Sequence, residues 1–145
     1  MNKNEQLDNV YFFLLERTVR RFRKFSQREL SKRGFDISGE QWVVLKKAHE
    51  EPGISQRDIA KSTFKDPASV TRMIDLLEHR GLVKREDHGE DRRSYSIHLT
   101  KEGLKFVEEM LPLAEEMRKF GLRDVTEFEK QTFIKVLNKI YENLE

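Results

Sequence analysis

Apolar side chains recur along most of the chain with the spacing of amphipathic helices, and this pattern predicts six helices. The first is predicted over residues 6–33, because apolar positions return on one face there and Gly34 follows. The second begins after residues 38–41, SGEQ, which match a capping box, and ends at the Pro-Gly pair of residues 52–53. Its buried face is predicted to consist of Trp42, Val43, Leu45 and Ala48.

A short helix, a turn and a longer helix are predicted in the middle of the chain. Ser55 can cap the short third helix, and Asp66 can cap the fourth with Pro67 at its first position. The turn between them, residues 62–65, reads STFK, and Phe64 is expected to fill the core. This arrangement is the pattern of a helix-turn-helix. The apolar positions of the fourth helix are Val70, Met73, Ile74 and Leu77.

A β-hairpin is predicted directly after the fourth helix. Residues 82–85 and 95–99 are short enough to be strands, and the second alternates in polarity. The alternation predicts that Ile97 points inward and that Ser96 and His98 point outward. The loop that joins the strands carries both acids and arginines, so its net sign is ambiguous.

Two further helices follow the hairpin. Thr100 can cap the fifth, which contains Pro112 and is expected to bend there; its apolar face is Leu104, Val107, Leu111 and Ala114. Thr126 and Glu129 match a capping box for the sixth. The sixth helix carries a wide apolar stripe, which comprises Phe133, Val136, Leu137, Ile140, Tyr141 and Leu144.

Composition narrows the functional classes. The 145 residues carry a net charge of +2, with basic charge concentrated in the first two thirds and an acidic tail. The sequence has no cysteine, which excludes thiolate metal sites and thiol redox switches, and its four histidines lack metal-ligand spacing. No phosphate-binding glycine loop or nucleophile motif is present, so we expect no enzyme, cofactor or metal site. The polar N-terminus, without a signal-peptide core, predicts a cytoplasmic protein.

The outward face of the fourth helix suits a major groove. Its first turns offer small or hydrogen-bonding groups, and Arg72 can reach a guanine edge. The loop of residues 86–94, which we call the wing, can place Arg93 in a minor groove with Asp91 holding it extended. The competing interpretations are an ordinary amphipathic helix and a solvated hairpin whose charges cancel.

Five segments in order resemble the MarR family of winged helix-turn-helix transcription regulators. They are residues 55–60 (SQRDIA), 68–78 (ASVTRMIDLLE), 81–85 (GLVKR), 91–94 (DRRS) and 99–103 (LTKEG). The resemblance implies a mainly α fold with a small β-hairpin: a winged helix-turn-helix over residues 37–100. It also implies N- and C-terminal dimerisation helices, residues 1–36 and 101–145. The turn at residues 62–65 is bulkier than the family pattern.

The resemblance implies a homodimer that binds a pseudo-palindromic duplex. Residues 66–80 would enter the major groove, and Asp91 and Arg93 match the family's D-x-R wing motif. The alternative is a winged-helix module that binds protein rather than specific DNA, for which the acidic wing argues. The residues expected to contact DNA are Ser55, Gln56, Arg57, Lys65, Pro67, Ala68, Ser69, Thr71, Arg72, Arg85, Asp91, Arg92, Arg93 and Ser94.

Two further features have competing interpretations. Family members often bind small aromatic effectors between the dimerisation arms and the DNA-binding region, so Tyr11, Phe12, Phe22 and Trp42 are candidates for such a pocket. Aromatic side chains at helical spacing are more often core. The first helix also carries a basic face, which is either a solvated surface paired with the acidic tail or a site for an anionic effector or flanking DNA.

Overall fold

The computed structural model describes residue 3, residues 6–87 and residues 95–145. The mainly α class with one small hairpin is confirmed. The first helix begins later than predicted, because residues Leu7–Asn9 form a separate 3₁₀ turn and Val10 is extended. The elements are α1 (Tyr11–Lys32), α2 (Gly39–Glu50), α3 (Gln56–Ser62), α4 (Pro67–His79), β1 (Val83–Glu86), β2 (Ser96–Leu99), α5 (Lys101–Gly121) and α6 (Glu127–Asn143).

The predicted starts of α2 and α6 are confirmed by their hydrogen bonds. The Ser38 hydroxyl accepts from the Gln41 backbone N–H at 3.1 Å, and the Gln41 side chain accepts from the Ser38 N–H at 3.1 Å. Thr126 and Glu129 form the equivalent box at α6, with distances of 3.1 and 2.9 Å. These bonds satisfy backbone N–H groups that have no partner inside the helix, so each box fixes where its helix begins.

The chain divides into two compact units, Met1–Pro112 and Leu113–Glu145, so α5 begins in the first and ends in the second. In the first unit, α4 contacts α2, α3 and β1. Phe35 packs edge-on against Phe106 of α5, with ring centroids 5.5 Å apart. The core of this unit is almost wholly aliphatic; its most buried side chains include Leu30, Val44, Leu45, Ile59, Val70, Ile74, Leu77, Val83, Ile97, Val107 and Met110.

Four predictions of burial are wrong. Val43 and Leu104 are 42% and 44% exposed, because each helix faces the core with the neighbouring position, Val44 in α2 and Gly103 in α5. Phe64 was expected in the core and is 78% exposed. Ser96 was expected outside and is 1% exposed, because β2 pairs with β1 on one edge and with residues 53–56 on the other.

The second unit contains the end of α5 and the whole of α6. Leu113, Ala114 and Met117 of α5 are buried, whereas none of the described residues of α6 is. Pro112 lies inside α5, which continues to Gly121. Within the described ranges, no helix combines the length and the apolar character needed to cross a lipid bilayer.

Candidate nucleic-acid interface

The helix-turn-helix is built by two capped helices that share one apolar contact surface. The Ser55 hydroxyl accepts from the Asp58 N–H at 3.0 Å and starts α3. The Asp66 carboxylate accepts from the Ser69 N–H at 3.2 Å, and Pro67 occupies the first turn of α4. Ile59 and Ile74 are fully buried where these helices meet the core. The opposite face of α4 is therefore presented to solvent.

The solvent face of α4 carries the residues that the sequence predicted for base reading. Pro67, Ala68 and Arg72 are exposed, and Ser69 is half-buried. The Arg72 guanidinium donates to the Ser69 hydroxyl at 3.0 Å, so the arginine lies along the N-terminal half of the helix. The Asp66 carboxylate accepts from the Ser69 N–H at the start of this helix. The cation on the solvent face is Arg72, and it lies among small polar groups.

Gln56 is buried and bonded to Thr71, which is half-buried. Gln56 is 9% exposed, and its amide donates to the Thr71 hydroxyl at 2.6 Å. The Thr71 hydroxyl in turn donates to the Pro67 carbonyl at 3.0 Å. This pair fixes the start of α3 against the middle of α4.

Arg85 of β1 joins the hairpin to both helices. Its guanidinium lies 2.6 Å from the Asp75 carboxylate and 3.2 Å from that of Glu78, and its side chain is 15% exposed. It also donates to the Gln56 side-chain oxygen at 3.2 Å and to the Thr71 carbonyl at 3.3 Å. The ring of Tyr95 lies 5.9 Å from the guanidinium carbon. We call this cluster the Arg85 network.

The Arg85 network changes the interpretation of two predicted DNA contacts. Arg85 and Gln56 bond to the side of α4 that carries Thr71, Asp75 and Glu78, so they join the helix to the hairpin and to α3. Sequence reasoning missed the acidic members of the network, Asp75 and Glu78. The available signal was their spacing of three residues on one helix face, with an arginine seven residues after Glu78.

The base of the wing is a regular antiparallel ladder. Val83 pairs with Leu99, and Glu86 pairs with Ser96. The Glu86 carboxylate lies 3.6 Å from Lys84 Nζ, which offsets part of its charge, and 3.4 Å from His98 Nε2. Asp91, Arg92, Arg93 and Ser94, the predicted wing contacts, lie outside the described residues.

The remaining predicted DNA contacts lie at the start of α3 and at the turn between α3 and α4. Arg57 is exposed on α3 and Lys65 is half-buried. Ser55 is half-buried and bonds the start of α3, as described above. The structure therefore brings together the turn, the start of α3 and the outer face of α4.

The four candidate effector residues lie on the first two helices. Tyr11, Phe12 and Phe22 of α1 are 78%, 58% and 41% exposed, and Trp42 of α2 is half-buried. A cavity of about 460 Å³ lies elsewhere, between the end of α2, β2 and the start of α5. Its lining includes Ala48, Pro52, His98, Leu99 and Leu104.

A helix-turn-helix followed by a two-stranded hairpin defines a winged helix-turn-helix protein. The MarR family model matches residues 37–95, which contain α2, α3, α4 and β1. The chain is 31% identical to the transcriptional regulator PA3341 over 93% of this chain and 98% of that one, with a TM-score of 0.79. The chain belongs to the MarR family of transcription regulators.

Two other solved structures extend the likeness over nearly the whole chain. One is the complex of Staphylococcus aureus MepR with DNA, at 25% identity and a TM-score of 0.81, with 100% of both chains covered. The other describes regulation of DNA binding of Bordetella bronchiseptica BpsR by 6-hydroxynicotinic acid. It is 27% identical, covers 97% of this chain and 96% of that one, and has a TM-score of 0.82.

Proposed function

We propose that the chain is a homodimeric transcription regulator that binds a pseudo-palindromic DNA duplex. In each protomer, residues 66–80 would enter the major groove and the wing a flanking minor groove. The observation that carries the proposal is the solvent face of α4, with Arg72 beside Ser69, presented by a helix-turn-helix whose hairpin is tied to it by Arg85. The DNA complex of MepR, which shares the fold, supports it.

Within this proposal, Arg72 reads a base. Its guanidinium is exposed on the same face as Pro67 and Ala68, whose small side chains allow close approach to base edges. Lys65, at the turn, and Arg57, near the start of α3, then contact the phosphate backbone.

The wing contributes Arg93 to a minor groove, with Asp91 holding it and Arg92 making a weaker phosphate contact. The resemblance to the family's D-x-R motif supports this assignment. Of the acids that oppose it, Glu86 has Lys84 beside its carboxylate, which reduces its repulsion of phosphate. Asp87 and Glu90 remain, so the wing is expected to add modest non-specific affinity.

Dimerisation is assigned to residues 1–36 and 101–145. Two observations support this assignment: four side chains of the apolar stripe of α6 are exposed, Phe133, Val136, Tyr141 and Leu144, and the first residues of α1 expose Tyr11 and Phe12. Two-fold symmetry then requires half-sites separated by about one helical turn, roughly 10 bp.

The proposal also includes a small aromatic or anionic effector that the regulator binds. The regulation of BpsR by 6-hydroxynicotinic acid supports it, since that molecule is small, aromatic and acidic. Because Tyr11, Phe12 and Phe22 are exposed within one chain, a pocket that used them with Trp42 would be completed by a second protomer.

The test is selection of bound duplexes from a random pool, followed by Kd measurements on the selected duplex and on scrambled duplexes. We expect the selected duplex to be a pseudo-palindrome and to bind tightly. The Kd for scrambled duplexes divided by the Kd for the selected duplex should be smaller for Arg72→Ala than for the original chain. If Arg72→Ala binds DNA with the same sequence preference as the original chain, Arg72 does not read a base. A confirmed dimer that binds no duplex at low salt would overturn the proposal in favour of the protein-interaction module.

A further inference from the structure

The turn between α3 and α4 contains a residue whose backbone conformation suits glycine. Phe64 has a φ of 55°, in the left-handed region. It follows Thr63, the C-cap of α3, and the Lys65 N–H donates to the Ala60 carbonyl at 3.0 Å. The Phe64 N–H also approaches the Lys61 carbonyl at 3.4 Å. These two bonds form a Schellman motif, in which the position of Phe64 is usually glycine because a Cβ is unfavourable there.

The phenyl ring does not compensate for this conformation by joining the core. Phe64 is 78% exposed, whereas Ile59 and Val70 on either side of the turn are fully buried. One exposed apolar side chain is ordinary on a protein surface. An exposed ring at a position that favours glycine is unusual, because backbone preference and core packing both argue against it. Such outliers concentrate at functional sites.

The position of the ring indicates what it contacts. Phe64 lies three residues before Pro67, the first residue of α4, and Lys61 and Lys65 stand on either side of it. Both cations favour an approaching phosphate backbone. When the N-terminal half of a recognition helix enters the major groove, the preceding helix crosses the backbone. The turn between them then lies at the groove edge, against sugars and the outer edges of bases.

We propose that Phe64 is a DNA-contacting residue whose ring packs against apolar carbon at the major-groove edge. The chemistry it recognises is a deoxyribose ring or a thymine C5-methyl group. This inference rests on the proposed DNA-binding function and adds to it an uncharged contact outside α4 and the wing. The contact contributes affinity through apolar burial, so it does not depend on salt.

The decisive variant is Phe64→Gly, because the two roles of the residue predict opposite effects. Glycine relieves the left-handed backbone, so Tm is expected to stay unchanged or rise by about 2–4 °C. Loss of the ring removes apolar contact, so Kd for the selected duplex is expected to rise about tenfold. The slope of log Kd against log salt concentration should stay the same, since no charge is lost.

Asp124→Gly is the matched control. Asp124 and Phe64 are the two non-glycine residues with positive φ in the described part of the chain, and Asp124 lies between α5 and α6. Its replacement introduces glycine at a second position with positive φ without removing a ring, so Kd should change far less than in Phe64→Gly. Phe64→Asn, which tolerates the left-handed conformation and lacks the ring, should weaken binding as glycine does, whereas Phe64→Tyr should bind like the original chain.

Replacing thymidine with deoxyuridine in the selected duplex removes only the methyl groups. This replacement tests whether the Phe64 ring contacts thymine methyl or deoxyribose. If the difference between the original chain and Phe64→Gly disappears, the ring contacts thymine methyl; if it persists, the ring contacts deoxyribose. Equal Kd values for these two proteins on the thymine duplex would overturn the inference alone, as would a large fall in Tm of Phe64→Gly. If the original chain bound no duplex, the proposed function and this inference would both fail.

Discussion

Gly103 shows how a single residue can fix the packing of two elements. A Cβ built on it would lie 1.9 Å from the Leu82 carbonyl oxygen, so the first turn of α5 approaches the backbone just before β1 more closely than any side chain allows. The same carbonyl accepts from the Thr100 N–H at 3.1 Å, and the Thr100 hydroxyl donates to the Gly81 carbonyl. The base of the hairpin is therefore held directly to α5.

Replacement of Gly103 by alanine is expected to force these backbones apart. We expect Gly103→Ala to lower stability by about 3 kcal/mol, at the upper end of overpacking costs, measured by thermal or urea unfolding. Gly39→Ala is the control: Gly39 opens α2, and a Cβ there meets nothing within 4 Å. That variant should be neutral or slightly stabilising. Equal stability of the two variants would contradict the close approach.

Arg85 is a second residue whose role the fold decides. As the centre of the Arg85 network it should support stability more than it attracts phosphate. We expect Arg85→Gln to lower stability by about 1–2 kcal/mol, because Asp75 and Glu78 lose their common partner. Lys84→Gln removes the same charge from an exposed neighbour and should change stability by less than about 0.5 kcal/mol.

DNA binding separates the two possible roles of Arg85. A lost phosphate contact lowers the slope of log Kd against log salt by about 0.9, whereas a lost positioning residue raises Kd without changing the slope. We expect the second result for Arg85→Gln. A lower slope with unchanged stability would restore the direct contact that the sequence predicted.

At the scale of elements, sequence reasoning succeeded where a start or stop signal is local. The boxes at Ser38 and Thr126 and the Asp-Pro start of α4 depend on residues three apart, so they can be read directly. It failed where a distant element decides burial. Ser96 is buried because residues 53–56 pair with the far edge of β2, and no local alternation records that pairing.

The capping box of α6 predicts a pH dependence. The Thr126 backbone N–H, together with its hydroxyl, lowers the pKa of the Glu129 carboxyl below its ordinary value. A lowered folded pKa means that the stabilisation is complete above the unfolded pKa and is lost as pH falls through the folded one. We expect the Tm of the original chain to fall between pH 7 and pH 3 more than that of Glu129→Gln, which keeps an acceptor but cannot titrate. Parallel Tm curves for the two proteins would contradict this role.

At the scale of the whole molecule, the placement of functional groups was predictable only in part. The outer face of α4 follows from helical spacing, so the sequence correctly placed Arg72 on this face beside Ser69, and their roles in DNA binding stay predictions. Gln56 and Arg85 were assigned to the same surface because polarity alone does not tell a buried ion pair from an exposed contact. Phe64 was misplaced for the related reason that an aromatic side chain in a turn reads as core until its φ is known.

The exposed apolar side chains of α6 lead to a prediction that the chain forms a dimer. Phe133 and Tyr141 are 52% and 62% exposed in one chain, which is unfavourable unless another surface covers them. We expect light scattering to give a dimer at micromolar concentration and a monomer for the double variant Phe133→Asp/Tyr141→Asp. Val43→Asp, at a position 42% exposed in the predicted DNA-binding region, should remain a dimer.

The same variants test whether DNA binding needs two protomers. A dimer with two α4 helices binds a two-half-site duplex at least about 100-fold more tightly than a single protomer does. The reason is that the second half-site is bound at a high effective concentration. The double variant should therefore lose at least that factor on the selected pseudo-palindrome, yet bind a single half-site with the affinity of the original chain. A monomeric variant that kept the full affinity for the pseudo-palindrome would show that one protomer recognises the site alone, and the two-fold geometry would have to be abandoned.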